Sequence, residues 1–282
     1  MTEPGINSLY RASGTLLGQQ TEPFEATPFD LDKYLRAAGR TRAEAFDWTD
    51  PGPKLEDEAL FCLGYMMDVE AHTIVYLSEL LRTSVVEDAS ITAFLSCWNY
   101  EEFLHSQILK RFLATQGVMV DDERFARLRR RQPADRYTQV GARILSRATR
   151  RHFPAIHMTW GAINEITAVQ SYRALDERTR HPLLSRILNR IVKDERRHFS
   201  FYFNQARNRL RYRTARLLAV AIIKYLWAPV GSPILGDSST RRLHDYLFPD
   251  EPARRRFAEA DATIARLPGF QWFNRLRGIG AR

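Results

Sequence analysis

Glu102-Phe103-Leu104-His105 and Glu195-Arg196-Arg197-His198 are two Glu-x-x-His pairs, each set in a long helical pattern. Residues three apart on a helix stand one above the other on the same face, so each pair can aim a carboxylate and an imidazole at one point. A further glutamate lies about one helix upstream of each pair: Glu70 before the first, Glu165 before the second. A lone Glu-x-x-His says little, because exposed helices are rich in glutamate. Two of them, each preceded by a glutamate in its own helical pattern, form a much narrower signal.

Apolar residues at steps of three and four mark the buried face of a helix. The first long helix reads Leu63, Met66, Met67, Glu70, Ile74, Leu77, Leu81, and the second Ile91, Leu95, Trp98, Glu102, His105, Leu109, Phe112. The third gives Met158, Ala162, Glu165, Val169, Tyr172, and the fourth Leu184, Leu188, Ile191, Glu195, His198, Tyr202. Each glutamate interrupts a stripe that is otherwise apolar or aromatic. A bare carboxylate there is costly or takes up a proton, so four such intrusions demand compensation, and cations supply it. One Glu from each of two helices, with a Glu-x-x-His from each of two others, is the ligand set of di-metal carboxylate sites in ferritin-like bundles. The candidate metal ligands are therefore Glu70, Glu102, His105, Glu165, Glu195 and His198. So oxygen-rich a set suits two iron ions, with manganese as the alternative, better than zinc. Glu79 and Glu101 fall off the stripes and read as solvated or supporting; His72 and His157 read as surface or packing residues.

The expected fold is all-α: a four-helix bundle with extra helices and an N-terminal arm. Residues 1–54 form the arm, with a short helix near Leu31–Ala38; residues 55–211 form the bundle; residues 212–282 form C-terminal helices packed on it. The long helices are expected at about Leu55–Arg82, from an N-cap at Asp88 or Ser90 to about Thr115, at Ala155–Leu175, and from Pro182 to about Leu210. Gly117 stops the second, and Pro154 marks a break before the third. A charged connection with one short helix fills 118–135, and a further helix is expected over Tyr137–Arg151. No alternating strand pattern or solenoid repeat is present.

The 282 residues, 44% of them hydrophobic, can fill a core. Cys62 and Cys97 lack metal-type spacing and read as buried thiols in a reducing cytoplasm. No secretory signal opens the chain. The most apolar stretch, Leu217–Val230, is too short to span a bilayer and is interrupted by Lys224 and Pro229; it reads as a buried helix in preference to a membrane-surface segment. The net charge of +9, largely from arginine, attracts anionic partners. No zinc-finger or RNA-recognition signature points to nucleic acid.

With these residues in place, the chain resembles the soluble acyl-carrier-protein desaturases over roughly Trp48–Tyr202. Leu63-Gly64-Tyr65-Met66-Met67-Asp68-Val69-Glu70-Ala71 resembles their first ligand helix. Trp98-Asn99-Tyr100-Glu101-Glu102-Phe103-Leu104-His105 resembles the second, where the family has Glu-Glu-Asn-Arg-His. Lys193-Asp194-Glu195-Arg196-Arg197-His198 is similar to the family's Asp-Glu-Lys-Arg-His, with Tyr202 four residues on. The resemblance implies di-iron ligation by the six residues named above and a role for Asp194 in orienting a histidine ligand and helping electron entry. It also implies a threonine near the oxygen site; here that position is Ala168, with Thr167 one place earlier. Phe103, Leu104 and Phe199 depart from the family pattern. The activity implied is O2-dependent abstraction of hydrogen from an acyl chain, by desaturation or hydroxylation, in fatty acid metabolism. The implied partners are an acidic acyl carrier protein docked on the arginine-rich face, a ferredoxin-like electron donor and a second copy of the chain. A di-iron oxygenase acting on another small molecule, and a non-enzymatic metal-binding scaffold, are the alternatives.

Overall fold

The computed structural model describes residues 29–121, 123–130, 149 and 151–279. Ten α-helices and three 3-10 turns, with no strand, occur among the described residues. In chain order they are α1 (Leu31–Ala37), α2 (Asp57–Leu80), α3 (Ala89–Thr115), α4 (Glu123–Arg130), α5 (Phe153–Thr179), α6 (Pro182–Arg209), α7 (Arg213–Leu226), α8 (Ser232–Leu235), α9 (Asp237–Leu247) and α10 (Glu251–Ile264). The protein is all-α. α2 pairs with α3 and α5 with α6, and contacts of α3 with α6 and of α2 with α5 close a four-helix bundle. Short connections inside each pair, and one long connection from α3 to α5, give the ferritin-like order of bundle helices.

Local chemistry sets the helix ends. The Asp88 carboxylate accepts from the backbone N–H of Ser90 (3.0 Å) and Ile91 (3.2 Å), which caps α3. Gly117, at φ +89°, ends it with a conformation that costs glycine little. The His181 ring caps α6 by accepting from Leu184 N–H at 3.1 Å, while its other nitrogen faces the Pro53 carbonyl at 3.0 Å. The break expected at Pro154 falls just before it, in a turn at 151–152: Pro154 itself sits in the first turn of α5, where a missing N–H costs nothing. The helix expected over Tyr137–Arg151 lies outside the described residues, apart from Thr149 and Arg151 in a turn.

The inward stripes of α3, α5 and α6 are buried as the periodicity requires. Leu95, Leu109, Leu184, Leu188 and Ile191 are fully buried, and each such side chain contributes roughly 1.5–3 kcal/mol. In α2 the stripe holds only as far as Glu70 and Leu77. Ile74 and Leu81 are exposed, because the inward face drifts along this long helix and Leu80 takes the last inward position. Leu81 is the C-cap residue, already past the final turn.

Residues 29–54 lie against the bundle, with Leu31 and Tyr34 of α1 buried in the common core. α9 packs on α2 and α5, and α10 packs on α5. The reading of Leu217–Val230 as a buried helix is only half right. Ala215, Ala219, Ile223 and Trp227 face inward, but Leu217, Tyr225 and Leu226 stand in solvent. Cys62 is buried, and burial pushes its thiol up to about 12; Cys97 is only half-buried. No described helix is long and apolar enough to cross a membrane.

Candidate metal centre

Glu70 comes from α2, Glu102 and His105 from α3, Glu165 from α5, and Glu195 and His198 from α6. All six side chains meet in the middle of the bundle. The histidines are fully buried and no glutamate is more than 5% exposed. Their ligand atoms form two sets, each with all atoms within 4.8 Å of one another: Glu70, Glu102, His105 and Glu195, and Glu102, Glu165, Glu195 and His198. Glu102 and Glu195 belong to both. Each set therefore has one glutamate and one histidine of its own and shares two carboxylates, which is the arrangement of two metal ions bridged by carboxylates.

Both imidazoles turn Nδ1 inward. His105 Nδ1 is 3.0 Å from Glu195 and 3.8 Å from both Glu70 and Glu102. His198 Nδ1 is 3.1 Å from Glu195, 3.2 Å from Glu102 and 3.7 Å from Glu165. Their outer nitrogens are each held by a second carboxylate: His105 Nε2 by Asp194 at 3.3 Å, and His198 Nε2 by Glu101 at 2.9 Å. A carboxylate on the outer nitrogen fixes the tautomer that leaves the inner one free to bind metal. Arg197 ties the pair together, donating to Glu101 at 2.9 Å and lying 2.6 Å from Asp194.

Further donors fix the carboxylates. The Trp98 indole donates to Glu165 at 2.9 Å, and the Tyr172 hydroxyl donates to Glu70. The Tyr34 hydroxyl and the Gly39 backbone N–H, at 2.7 and 3.0 Å, both donate to Glu101. Gly39 sits at φ +71°, which turns the chain after α1 so that its N–H faces this carboxylate. The N-terminal segment thus closes one side of the site.

The charge balance argues for cations. Burial, together with the neighbouring charges of Glu195 and Glu70, drives the Glu102 carboxyl well above its ordinary range. Burial likewise pushes Glu165 up to about 8, against the pull of the His198 hydrogen bond. Burial disfavours the imidazolium forms, yet Asp194, Glu102 and Glu195 around His105, and Tyr34 and Glu101 around His198, hold both rings well above the usual histidine range. Protons thus do the work of missing positive charge. They do it incompletely: Glu70 Oε2 is buried without a hydrogen-bond partner, and His105 Nδ1 and Glu195 Oε1, although 3.0 Å apart, form no well-directed hydrogen bond. All three belong to the same ligand set, and leaving such atoms unpaired is costly. A metal ion would satisfy them together, so the residues fit the group that the motifs imply.

Asp194 lies against His105, one of the candidate ligands. Thr167 is buried and donates its hydroxyl hydrogen to the Ile163 carbonyl at 2.7 Å. It reaches the wall of a cavity of about 70 Å³ lined also by Met66, Val69, Glu70, Tyr172 and His244. His244 is buried with both ring nitrogens lacking a hydrogen-bond partner. A wider surface depression lined by Glu58, Arg242 and Tyr246 shares no residue with the cluster, so its size does not make it the site.

Some functional residues escaped the sequence. Glu101 takes the supporting role of the two read for it: it is buried and holds His198. A signal for it existed, since Glu101 precedes Glu102 as Asp194 precedes Glu195. Tyr34 and Arg197 carried no such mark. His72 and His157 are buried outside the cluster, and His157 accepts or donates a hydrogen bond with the Tyr76 hydroxyl at 2.9 Å. Glu79 is partly buried and paired with Arg82 at 3.1 Å.

No protein-family model matches this chain, and neither a curated protein nor a solved structure matches it. The functional reading therefore rests on the geometry of the cluster and on the motifs.

Proposed function

We propose that the protein is an O2-dependent di-iron oxidoreductase of the acyl-carrier-protein desaturase type. The observation that carries this reading is the sharing of Glu102 and Glu195 between two four-residue ligand sets. A bound, reduced iron pair supplies reduction of O2 and abstraction of hydrogen from an unactivated C–H bond. The remaining work belongs to the chain. Glu102 and Glu195 would be shared by both ions, and Asp194 and Glu101 orient the histidines. Arg197, with its side chain 34% exposed, links those two carboxylates toward the surface, a position suited to electron entry. The apolar bundle excludes water from the cluster. Glu70 and Thr167 share a cavity wall, so a substrate lying there meets the Glu70 ligand set.

An acyl chain on an acidic carrier protein is the substrate class that the motifs favour, and the basic surface favours such a carrier. A small molecule is the second reading, favoured by the cavity: about 70 Å³ is well below the roughly 300–1,000 Å³ of sites that enclose a drug-sized ligand. Self-association through α2 and α3 is consistent with the exposed Ile74 and Phe103. The test is O2 uptake by ferrous-loaded protein with acyl-carrier, acyl-thioester and small apolar substrates, with product analysis. Substrate-stimulated uptake and a desaturated or hydroxylated product support the proposal. A two-iron protein inert to O2 under all three conditions would replace it with a metal-binding scaffold.

A further inference from the structure

Helix α7 has two unlike faces. Ala215, Ala219, Ile223 and the following Trp227 are buried, and the helix packs on α5. On the opposite face Leu217 and Tyr225 are 59 and 75% exposed, with exposed Ala221 between them; Leu226, half a turn round from Leu217, is 63% exposed at the helix end, and Tyr212, just before the helix, is also exposed. The helix is firmly held. Arg275 donates to the carbonyls of Ile223, at 3.2 Å, and Lys224, and the Trp227 indole donates to Asn164 at 3.3 Å. Large apolar side chains are therefore kept in water by a fixed helix, against the usual preference for their burial.

The stretch of chain that contains this helix carries charge of one sign. Arg211, Arg213, Arg216 and Lys224 lie on or beside α7, and no Asp or Glu occurs between Glu195 and Asp237. Arg209, just before the helix, is paired with Asp88. Tyr225 stands near the C-terminal end of the exposed face. Tyrosine favours the boundary between water and lipid, where its ring is buried and its hydroxyl stays wet.

We propose that α7 is a docking helix for an anionic phospholipid surface, lying in the plane of the interface. Leu217 and Tyr225 enter the boundary between headgroups and acyl chains, and Arg211, Arg213 and Lys224 meet the phosphates. Pro229 and Val230, which follow α7 directly, line the cavity that reaches Glu70. Docking therefore brings the cavity wall close to the lipid, a short route for an apolar molecule. The docking itself does not depend on the di-metal reading.

The test is sedimentation of the full-length, metal-loaded protein with vesicles of phosphatidylcholine alone or with one third phosphatidylglycerol, at low and high salt. The expected result is co-sedimentation with the anionic vesicles only, reduced at high salt. The double variant Leu217→Asp/Tyr225→Asp should weaken binding about tenfold or more while keeping the wild-type melting temperature, since both sites are exposed. The pair Arg211→Glu/Arg213→Glu should weaken it by a similar factor. No binding to anionic vesicles, or binding that survives the Leu217→Asp/Tyr225→Asp change, overturns the proposal. So does loss, in that variant, of self-association or of acidic-carrier binding with vesicle binding intact. Vesicle binding by protein that holds no metal supports the docking and removes the di-metal reading instead.

Discussion

Glu195 serves both ligand sets, whereas Glu70 serves one. The two substitutions should therefore differ in kind. Glu195→Ala should abolish binding of both metal ions, and Glu70→Ala should leave the set around His198 able to hold one; metal analysis of the purified variants checks this. Asp194→Asn keeps the shape but weakens the grip on His105 Nε2, and should lower metal affinity by about 10–100-fold without unfolding the protein. The Glu165 carboxyl, pushed up to about 8, carries a proton at neutral pH that a cation must displace. Metal affinity should therefore fall about tenfold per pH unit below 8 for each proton released, a slope that calorimetric titration at several pH values measures. The clustering of the six candidate ligands was legible in the sequence because each interrupts or extends an apolar stripe. Tyr34 was not, because it reaches Glu101 across 67 residues of chain through tertiary contact alone.

Helices carry the second scale of constraint. α5 and α6 approach so closely that a methyl group on Gly161 would stand 2.3 Å from the buried Tyr202 ring. Gly161→Ala should destabilise the protein by about 1–3 kcal/mol in denaturant unfolding. His157, on α5, is buried, and burial pushes its pKa down to about 3 from 6.5. Below pH 6.5 the unfolded chain binds a proton that the folded ring refuses, so stability drops as pH falls from about 6.5 toward 3. At pH 5 the loss is about 2 kcal/mol. His157→Gln should flatten this slope in metal-free protein, as urea unfolding at pH 7 and pH 5 would reveal. Periodicity fixed the existence of the long helices well, because capping groups such as Asp88 and Pro182 sit where helix chemistry requires them. It failed for Ile74 and Leu217, since a repeat of apolar residues marks a face but does not say whether another element covers it.

At the scale of the molecule, the bundle is built around a cluster that it cannot neutralise by itself. Four buried glutamates and their two supporting acids face two imidazoles and the single guanidinium of Arg197. Metal should accordingly act as a structural staple. At a free concentration about a thousand times the dissociation constant it adds about 4 kcal/mol, so chelation should lower the melting temperature by about 10 °C. Class of fold and ligand set were both open to inference from the chain alone, because a buried acidic cluster and its helices are specified together. The docking of residues 29–54 over Glu101 was not, because it depends on which surface the rest of the fold leaves uncovered. The most direct measurement is the number of iron ions retained per chain after anaerobic loading and gel filtration. Two ions per chain, falling to none in Glu195→Ala, is the predicted result; a wild-type protein that retains none, or the same number with and without Glu195, would contradict it.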